Sequence, residues 1–309
     1  MPLDKPVFVS RNQIKTVVIK GTTINWFREN PEDQAMEPIL VTQSPKSWAE
    51  WTDGKGPYVH EGEEIHYLLE GKLIDHYDGH EYHLEEGDYF YFQGMKPHTW
   101  MNPGERSTRV LIVVAPTIAA RTDYYDHLSP EDREYAYQRM KEFGIKPPKD
   151  KSTRKPGEIT KGLMLVRKND FQRQRVGRVT VDFPTPGVRD QEAEICVVNV
   201  DSKSLFEWTD GRGPFRHAGE EFLYIVDGTV NARVGSETRT LGKGDYVYFP
   251  GAIPHRFENI GDSPAKIIIG ESPPIVVRPD YYDHLSPEDR EYAYQRMKEF
   301  GIKPPKDKP

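Results

Sequence analysis

Apolar and polar residues change places over short distances along this chain. In EEIHYLLEGKLIDHY the apolar run breaks at Gly71, a turn follows at Asp78–Gly79, and HEYHLEEGDYFYF takes up the pattern again. Short runs rich in aromatic and β-branched residues, punctuated by glycine-containing turns, predict consecutive β-strands. The stretch EEFLYIVDGTVNARVGSETRTLGKGDYVYF repeats the pattern, with turns at Asp227–Gly228 and Gly235–Ser236. Strands this short and closely spaced predict an antiparallel sandwich or barrel, so the expected fold class is all-β with a few helices.

Helical signals occur in one place per copy. Ser129 suits an N-cap, Pro130 the first helical position, and Gly144 the stop. Acidic residues crowd the start of this segment and basic ones its end, matching the helix dipole. Ala136, Met140 and Phe143 form one apolar stripe, read as a packing face.

That segment belongs to an exact repeat. DYYDHLSPEDREYAYQRMKEFGIKPPKDK runs from Asp123 to Lys151 and again, unchanged, from Asp280 to Lys308. The same shift lays Glu50-Trp51-Thr52-Asp53-Gly54 on Glu207-Trp208-Thr209-Asp210-Gly211, and Pro97-His98 on Pro254-His255, without gaps from about residue 33. Two copies of one unit therefore stand in tandem, with expected boundaries 1–151 and 152–309. The linker lies at about 146–160, where KPPKDKSTRKPGE is too rich in proline and charge to pack. Identity extending into KPPKDK points to recent duplication rather than shared chemistry. The two helices are expected to brace the barrels, with His127 and His284 as capping or packing residues.

Charge narrows the function classes. With 42 basic against 49 acidic residues, a net charge of −7 argues against nucleic acid or an anionic membrane as partner. No apolar run reaches the roughly 18 residues of a bilayer span, and MPLDKPVFVSRNQIK lacks the apolar core of a secretory signal. Cys196 is the one cysteine and sits in a strand-like run, which predicts a buried residue in a soluble, cytoplasmic protein.

Two clusters carry candidate chemistry. GPYVHEGEEIHYLLEG returns as GPFRHAGEEFLYIVDG, and GDYFYFQGMKPHTWMN as GDYVYFPGAIPHRFEN. Together they resemble the two motifs of the cupin superfamily, G-x5-H-x-H-x3,4-E-x6-G and G-x5-P-x-G-x2-H-x3-N. The resemblance covers both halves and implies two tandem jelly-roll barrels, each followed by a C-terminal α-helix. It assigns metal ligation to His60, Glu64 and His98, and separately to His217, Glu221 and His255. Tyr58 and Phe215 stand where the family's first histidine would be, and Gln93 replaces the proline found at Pro250. The remaining two imidazoles and one carboxylate leave about three metal positions open, which suits a mononuclear non-haem Fe(II) oxygenase. This set is similar to that of the phosphonate-oxidising cupins such as hydroxypropylphosphonate epoxidase, without their helix-turn-helix domain. Oxalate-decarboxylase-like and gentisate-dioxygenase-like readings fit less well, since those cupins rely on the histidine replaced here.

The expected cofactor is Fe(II), with Mn, Ni or Zn as alternatives, and the expected partners are a small organic substrate and O2. Two further functions stay open. One is a divalent-metal isomerase, lyase or hydrolase; the other is a non-enzymatic small-molecule-binding or sensing bicupin. Association into homo-oligomers also accords with the resemblance. Alternation along the strand turns His66 into the barrel with Glu64, and Tyr58 and Trp100 are further inward candidates. The matching positions in the second copy are Leu223, Phe215 and Phe257, so the first pocket is expected to be polar and the second apolar. Tyr58, His66 and Trp100 are accordingly the candidate catalytic residues, and His76, His80 and His83 are expected on a solvated hairpin.

Overall fold

The computed structural model describes residues 4–27, 34–49, 58–117, 162–185, 191–206, 216–217 and 219–274, with Pro287, Glu291, Tyr294 and Gln295. Almost all of these residues lie in or between antiparallel strands. The chain is all-β, two tandem jelly-roll barrels. The first copy's predicted helix, the linker, His127 and His284 lie outside the described residues. The four described positions between 287 and 295 are helical.

One compact unit comprises Ile14–Asn169. Its larger sheet has seven strands in the order Met164–Val166, Tyr89–Gln93, Glu63–Glu70, Thr108–Ala115, Glu37–Gln43, Thr22–Trp26, Lys15–Ile19. Its smaller sheet is His80–Glu85, Lys72–Tyr77, His98–Met101. The core between them is built from Ile39, Val41, Leu68, Leu73, Leu84, Val110 and Ile112, with a wall of Phe90, Phe92 and Trp100. The central strands Glu63–Glu70 and Thr108–Ala115 are buried on both faces, so their apolar runs are nearly continuous rather than alternating.

The other unit comprises Met1–Gln13 with Asp170–Pro309. Its seven-stranded sheet runs Val7–Val9, Tyr246–Pro250, Glu220–Asp227, Ala265–Ser272, Glu194–Val200, Val179–Phe183, Gln172–Val176. A four-stranded sheet, Ser204–Phe206, His255–Asn259, Thr229–Val234, Glu237–Gly242, closes it.

These units differ from the boundaries read off the repeat. The first strand of the chain, Val7–Val9, pairs with Tyr246–Pro250, and its counterpart Met164–Val166 pairs with Tyr89–Gln93. The matching acids secure both exchanges: Asp245 accepts from the Arg11 amide at 2.8 Å, and Asp88 from the Lys168 amide at 3.2 Å and the Arg167 guanidinium at 2.6 Å. A duplicated chain can place an equivalent edge strand in either copy, because the two edges offer the same register.

Two local features hold the motifs in place. Asp78 and Gly79 both have positive φ, the backbone of a tight hairpin turn between Lys72–Tyr77 and His80–Glu85. Gly71 has φ +89 and abuts Thr108, where a Cβ would meet its Oγ1 at 2.7 Å. Glycine at the end of the first motif is thus required by both backbone and space.

Candidate metal centre

The strand Glu63–Glu70 carries Glu64 inward, and the loop before it carries His60. His98 opens the strand His98–Met101 of the opposite sheet. Main-chain bonds fasten the pieces: the His60 amide donates to Gly94 O at 2.8 Å and the Gly94 amide to Gly62 O at 2.7 Å. The Tyr58 and His98 main chains bond each other reciprocally at 2.7 and 3.0 Å. The equivalent bonds of His217, Gly251 and Gly219 all measure 2.8 Å. Both histidine–glutamate–histidine groups are buried, with ligand atoms within 4.8 Å of one another.

The tautomers say what these groups can hold. His60 Nδ1 lies 2.9 Å from the Glu61 carbonyl, and His98 Nδ1 lies 2.8 Å from the Lys96 carbonyl. A carbonyl only accepts, so each Nδ1 carries the proton and donates it. In the neutral ring Nε2 is then a lone pair, and both lone pairs face Glu64 Oε2, at 2.8 and 3.5 Å. Burial, outweighing the Glu64 bond, keeps His60 below its ordinary pKa, which favours the neutral ring. Although burial alone would raise Glu64, its close contacts with the His60, His66 and His98 rings hold it well below the usual carboxylate range. Three electron-pair donors converging on one buried point are complementary to a cation.

The second group repeats the arrangement. His217 Nε2 and His255 Nε2 lie 2.6 and 3.4 Å from Glu221 Oε2, and His255 Nδ1 donates to Ile253 O at 2.8 Å. The imidazole pairs cross edge-on in both groups, at centroid distances of 4.9 and 5.1 Å. Burial pushes the His255 pKa down.

Around the first group the structure brings the other sequence candidates together. His66 is fully buried, its ring 5.1 Å from Trp100 and 5.3 Å from Phe92. Tyr58 packs 6.0 Å from Trp100 and donates its hydroxyl to Ala49 O at 3.3 Å. Trp100 Nε1 is buried and has no hydrogen-bond partner among the described residues. His80 and His83 are exposed and His76 is half-buried against Trp48, at 4.7 Å. Phe215 lies outside the described residues, whereas Leu223 and Phe257 sit in the second core. Cys196 is in that core too; burial and then the Glu271 and Glu194 charges push its thiol pKa well up.

Two features escaped the sequence reading. Asp75 lies inside the first barrel, its Oδ1 2.9 Å from His66 Nδ1, while His66 Nε2 is 2.6 Å from Glu64 Oε1. Burial by itself would lower the His66 pKa, but the Asp75 charge and hydrogen bond, and then Glu64, lift it to about 10. Burial raises the Asp75 carboxyl in turn. The second feature corrects the expectation of an apolar second pocket. Glu271 pairs across strands with both Glu221 and Glu194, which places three carboxylates on one face. Ile269 and Cys196, two residues along from Glu271 and Glu194, are core residues, so this face is the barrel interior. At the position of Glu271 the first unit has apolar Val114. Comparing the copies position by position, Asp75 against Ala232 and Glu271 against Val114, exposes both features.

Comparison with known proteins accords with this architecture. A cupin-domain family model matches residues 50–114 and again 208–270. An uncharacterized protein of Methanocaldococcus jannaschii is 35% identical over 88 residues, 28% of this chain and 64% of that protein. One of Streptomyces coelicolor is 33% identical over 66 residues, 21% of this chain and 60% of that protein. Among solved structures, the oxalate decarboxylase of Lactobacillus farciminis, in a formate complex, superposes with TM-score 0.62 at 17% identity, covering 94% of this chain and 97% of that one. AerE of Microcystis aeruginosa gives 0.58 at 13% identity, covering 86% and 98%. At such identities the likeness is one of fold. Each of the two jelly rolls thus carries a match to the cupin-domain family, and in each the motif pair closes on a buried histidine–glutamate–histidine group.

Proposed function

We propose that this chain is a metal-dependent enzyme, a mononuclear non-haem Fe(II) oxygenase acting on a small organic substrate, with Ile14–Asn169 as its catalytic unit. The supporting observation is the convergence of His60 Nε2, His98 Nε2 and Glu64 Oε2 on one buried point with both histidine tautomers fixed. Three protein donors from one side would leave room for small ligands on the other. When bound there, Fe(II) would supply a redox-active centre accessible to O2 and substrate together.

The chain's own residues would do the rest. His60, Glu64 and His98 hold the metal, and Phe92 packs 4.9 Å from His98 to exclude water. Tyr58, His66 and Trp100 wall the adjacent space, and the Trp100 N–H is available to a substrate acceptor.

The test begins with anaerobic purification and metal analysis, followed by addition of Fe(II) and nitric oxide. The spin signature of an iron–nitrosyl centre is expected; its absence from both units would overturn the oxygenase reading. A second reading, redox-neutral isomerase or lyase chemistry at a divalent metal, is favoured by the His66–Asp75 pair, which can hold a proton beside the site. Full occupancy by zinc or manganese after growth in iron-replete medium would support it instead.

A further inference from the structure

The two triads match in their donor atoms and differ in what stands behind them. In the first unit both oxygens of Glu64 are engaged. Oε2 faces the two histidines, while Oε1 lies 2.6 Å from His66 Nε2, and His66 is held in turn by Asp75. Glu64 and His66 come from one sheet and Asp75 from the other, so the contact spans the barrel. In the second unit Leu223 and Ala232 occupy the matching positions, buried and unable to make either bond. Glu221 meets His217 Nε2 through Oε2, at 2.6 Å.

Folding does not account for the difference. The second unit reaches the same strand register with leucine and alanine: Glu64 stands opposite Phe92 as Glu221 does opposite Phe249, and Leu73 opposite Leu84 as Val230 does opposite Leu241. A buried histidine–aspartate pair is also costly to desolvate compared with apolar side chains of ordinary packing. A barrel that keeps such a pair directly behind a ligand gains something the fold alone does not require.

We propose that His66 and Asp75 are a positioning dyad that fixes Glu64 as a one-oxygen ligand and makes the first metal site tighter and stiffer than the second. Holding Oε1 on His66 leaves Oε2 as the single oxygen aimed between His60 and His98. Glu221 lacks that histidine restraint and shares its face of the barrel with Glu271 and Glu194 instead. The inference rests on the reading that both triads bind a divalent metal. Hydrogen bonds to ligating groups commonly alter metal affinity about 10–100-fold.

The experiment is a Co(II) titration of the metal-free, full-length protein, followed by visible absorption and calorimetry. Wild type should bind two ions in separate steps, about tenfold or more apart, with different d–d spectra. Glu64→Ala should remove the tighter step. His66→Leu and Asp75→Ala, which copy the second unit, should weaken that step about 10–100-fold and draw the two spectra together. Asp75→Asn keeps an acceptor for His66 and should recover most of the loss. Two ions binding equally tightly, or wild-type steps and spectra in folded His66→Leu and Asp75→Ala, would overturn the dyad while leaving the metal reading intact. No Co(II) binding by wild type would overturn the metal reading itself. Should leucine at position 66 prevent folding, the Asp75 pair decides alone: equal behaviour of alanine, asparagine and wild type would reject the dyad.

Discussion

At the scale of single residues, the candidate metal-binding histidines are held in place by neighbours that carry no ligand atom. The Gly94 and Gly251 α-carbons press against the His60 and His217 rings, and a Cβ at either position would overlap the imidazole. Gly94→Ala should therefore displace His60 and abolish one equivalent of bound metal, with Gly251→Ala doing the same for the other unit. Metal analysis of each variant measures this, and two ions retained by either would contradict it. Cys196 gives a prediction of a different kind. Burial first, then the Glu271 and Glu194 charges, hold its thiol protonated well above the ordinary value of 9.0. In the unfolded chain it ionises near that value, so above it the native state binds the extra proton and stability must fall as pH rises. The expected slope is about 1.4 kcal/mol per pH unit for this one proton. Denaturant unfolding between pH 8.5 and 10.5, as an approximate range, should show that slope in wild type and lose it in Cys196→Ser. Alkylation of the native protein at neutral pH should be slow.

At the scale of elements, the last residue of the second motif is structural. Asn102 Nδ2 donates to the carbonyls of Gln43, Ser44 and Arg106 at 3.1, 3.1 and 2.8 Å, and its Oδ1 accepts from the Gly104 amide at 2.8 Å. Asn259 repeats the set with Val200, Asp201, Ser263 and Gly261. Each asparagine ties the end of one strand to the turn that follows the asparagine itself, beside the strand that opens with a candidate ligand histidine. Asn102→Ala would strand several buried backbone groups and should cost on the order of 3 kcal/mol. Denaturant unfolding would register it, and a change below about 1 kcal/mol would refute this role. The exchanged strands make a second element-scale prediction. Val7–Val9 completes the sheet next to Tyr246–Pro250, so deleting residues 1–10 should expose that strand while sparing Tyr89–Gln93. Hydrogen exchange read peptide by peptide distinguishes the two. Faster exchange in both strands, or in neither, would contradict the exchange.

At the scale of the whole molecule, duplication has left two frameworks of the same register with different interiors. Nearly every strand has a counterpart displaced by the same interval, from Lys15–Ile19 and Gln172–Val176 to Thr108–Ala115 and Ala265–Ser272. If the Ile14–Asn169 unit is catalytic, Glu64→Ala should abolish turnover, whereas Glu221→Ala should keep most of it while losing one metal. Equal loss in both would place activity in both units.

The repeat, the strand-rich class and the six candidate ligand positions were legible in the chain alone. Each is a statement about spacing along the chain, and a duplicated motif records spacing twice. Alternation also placed Glu64 and His66 on one face, because it reports which side of a strand a residue occupies. It does not report what arrives opposite. That His66 meets Asp75, that Glu271 joins Glu221 and Glu194, and that Val7–Val9 pairs with Tyr246–Pro250 all depend on strands brought together across a sheet or a barrel. Tertiary structure alone decided those pairings, and with them the direction of each ligand's lone pair. A side chain's proton goes to its nearest acceptor in space, whatever its distance along the chain.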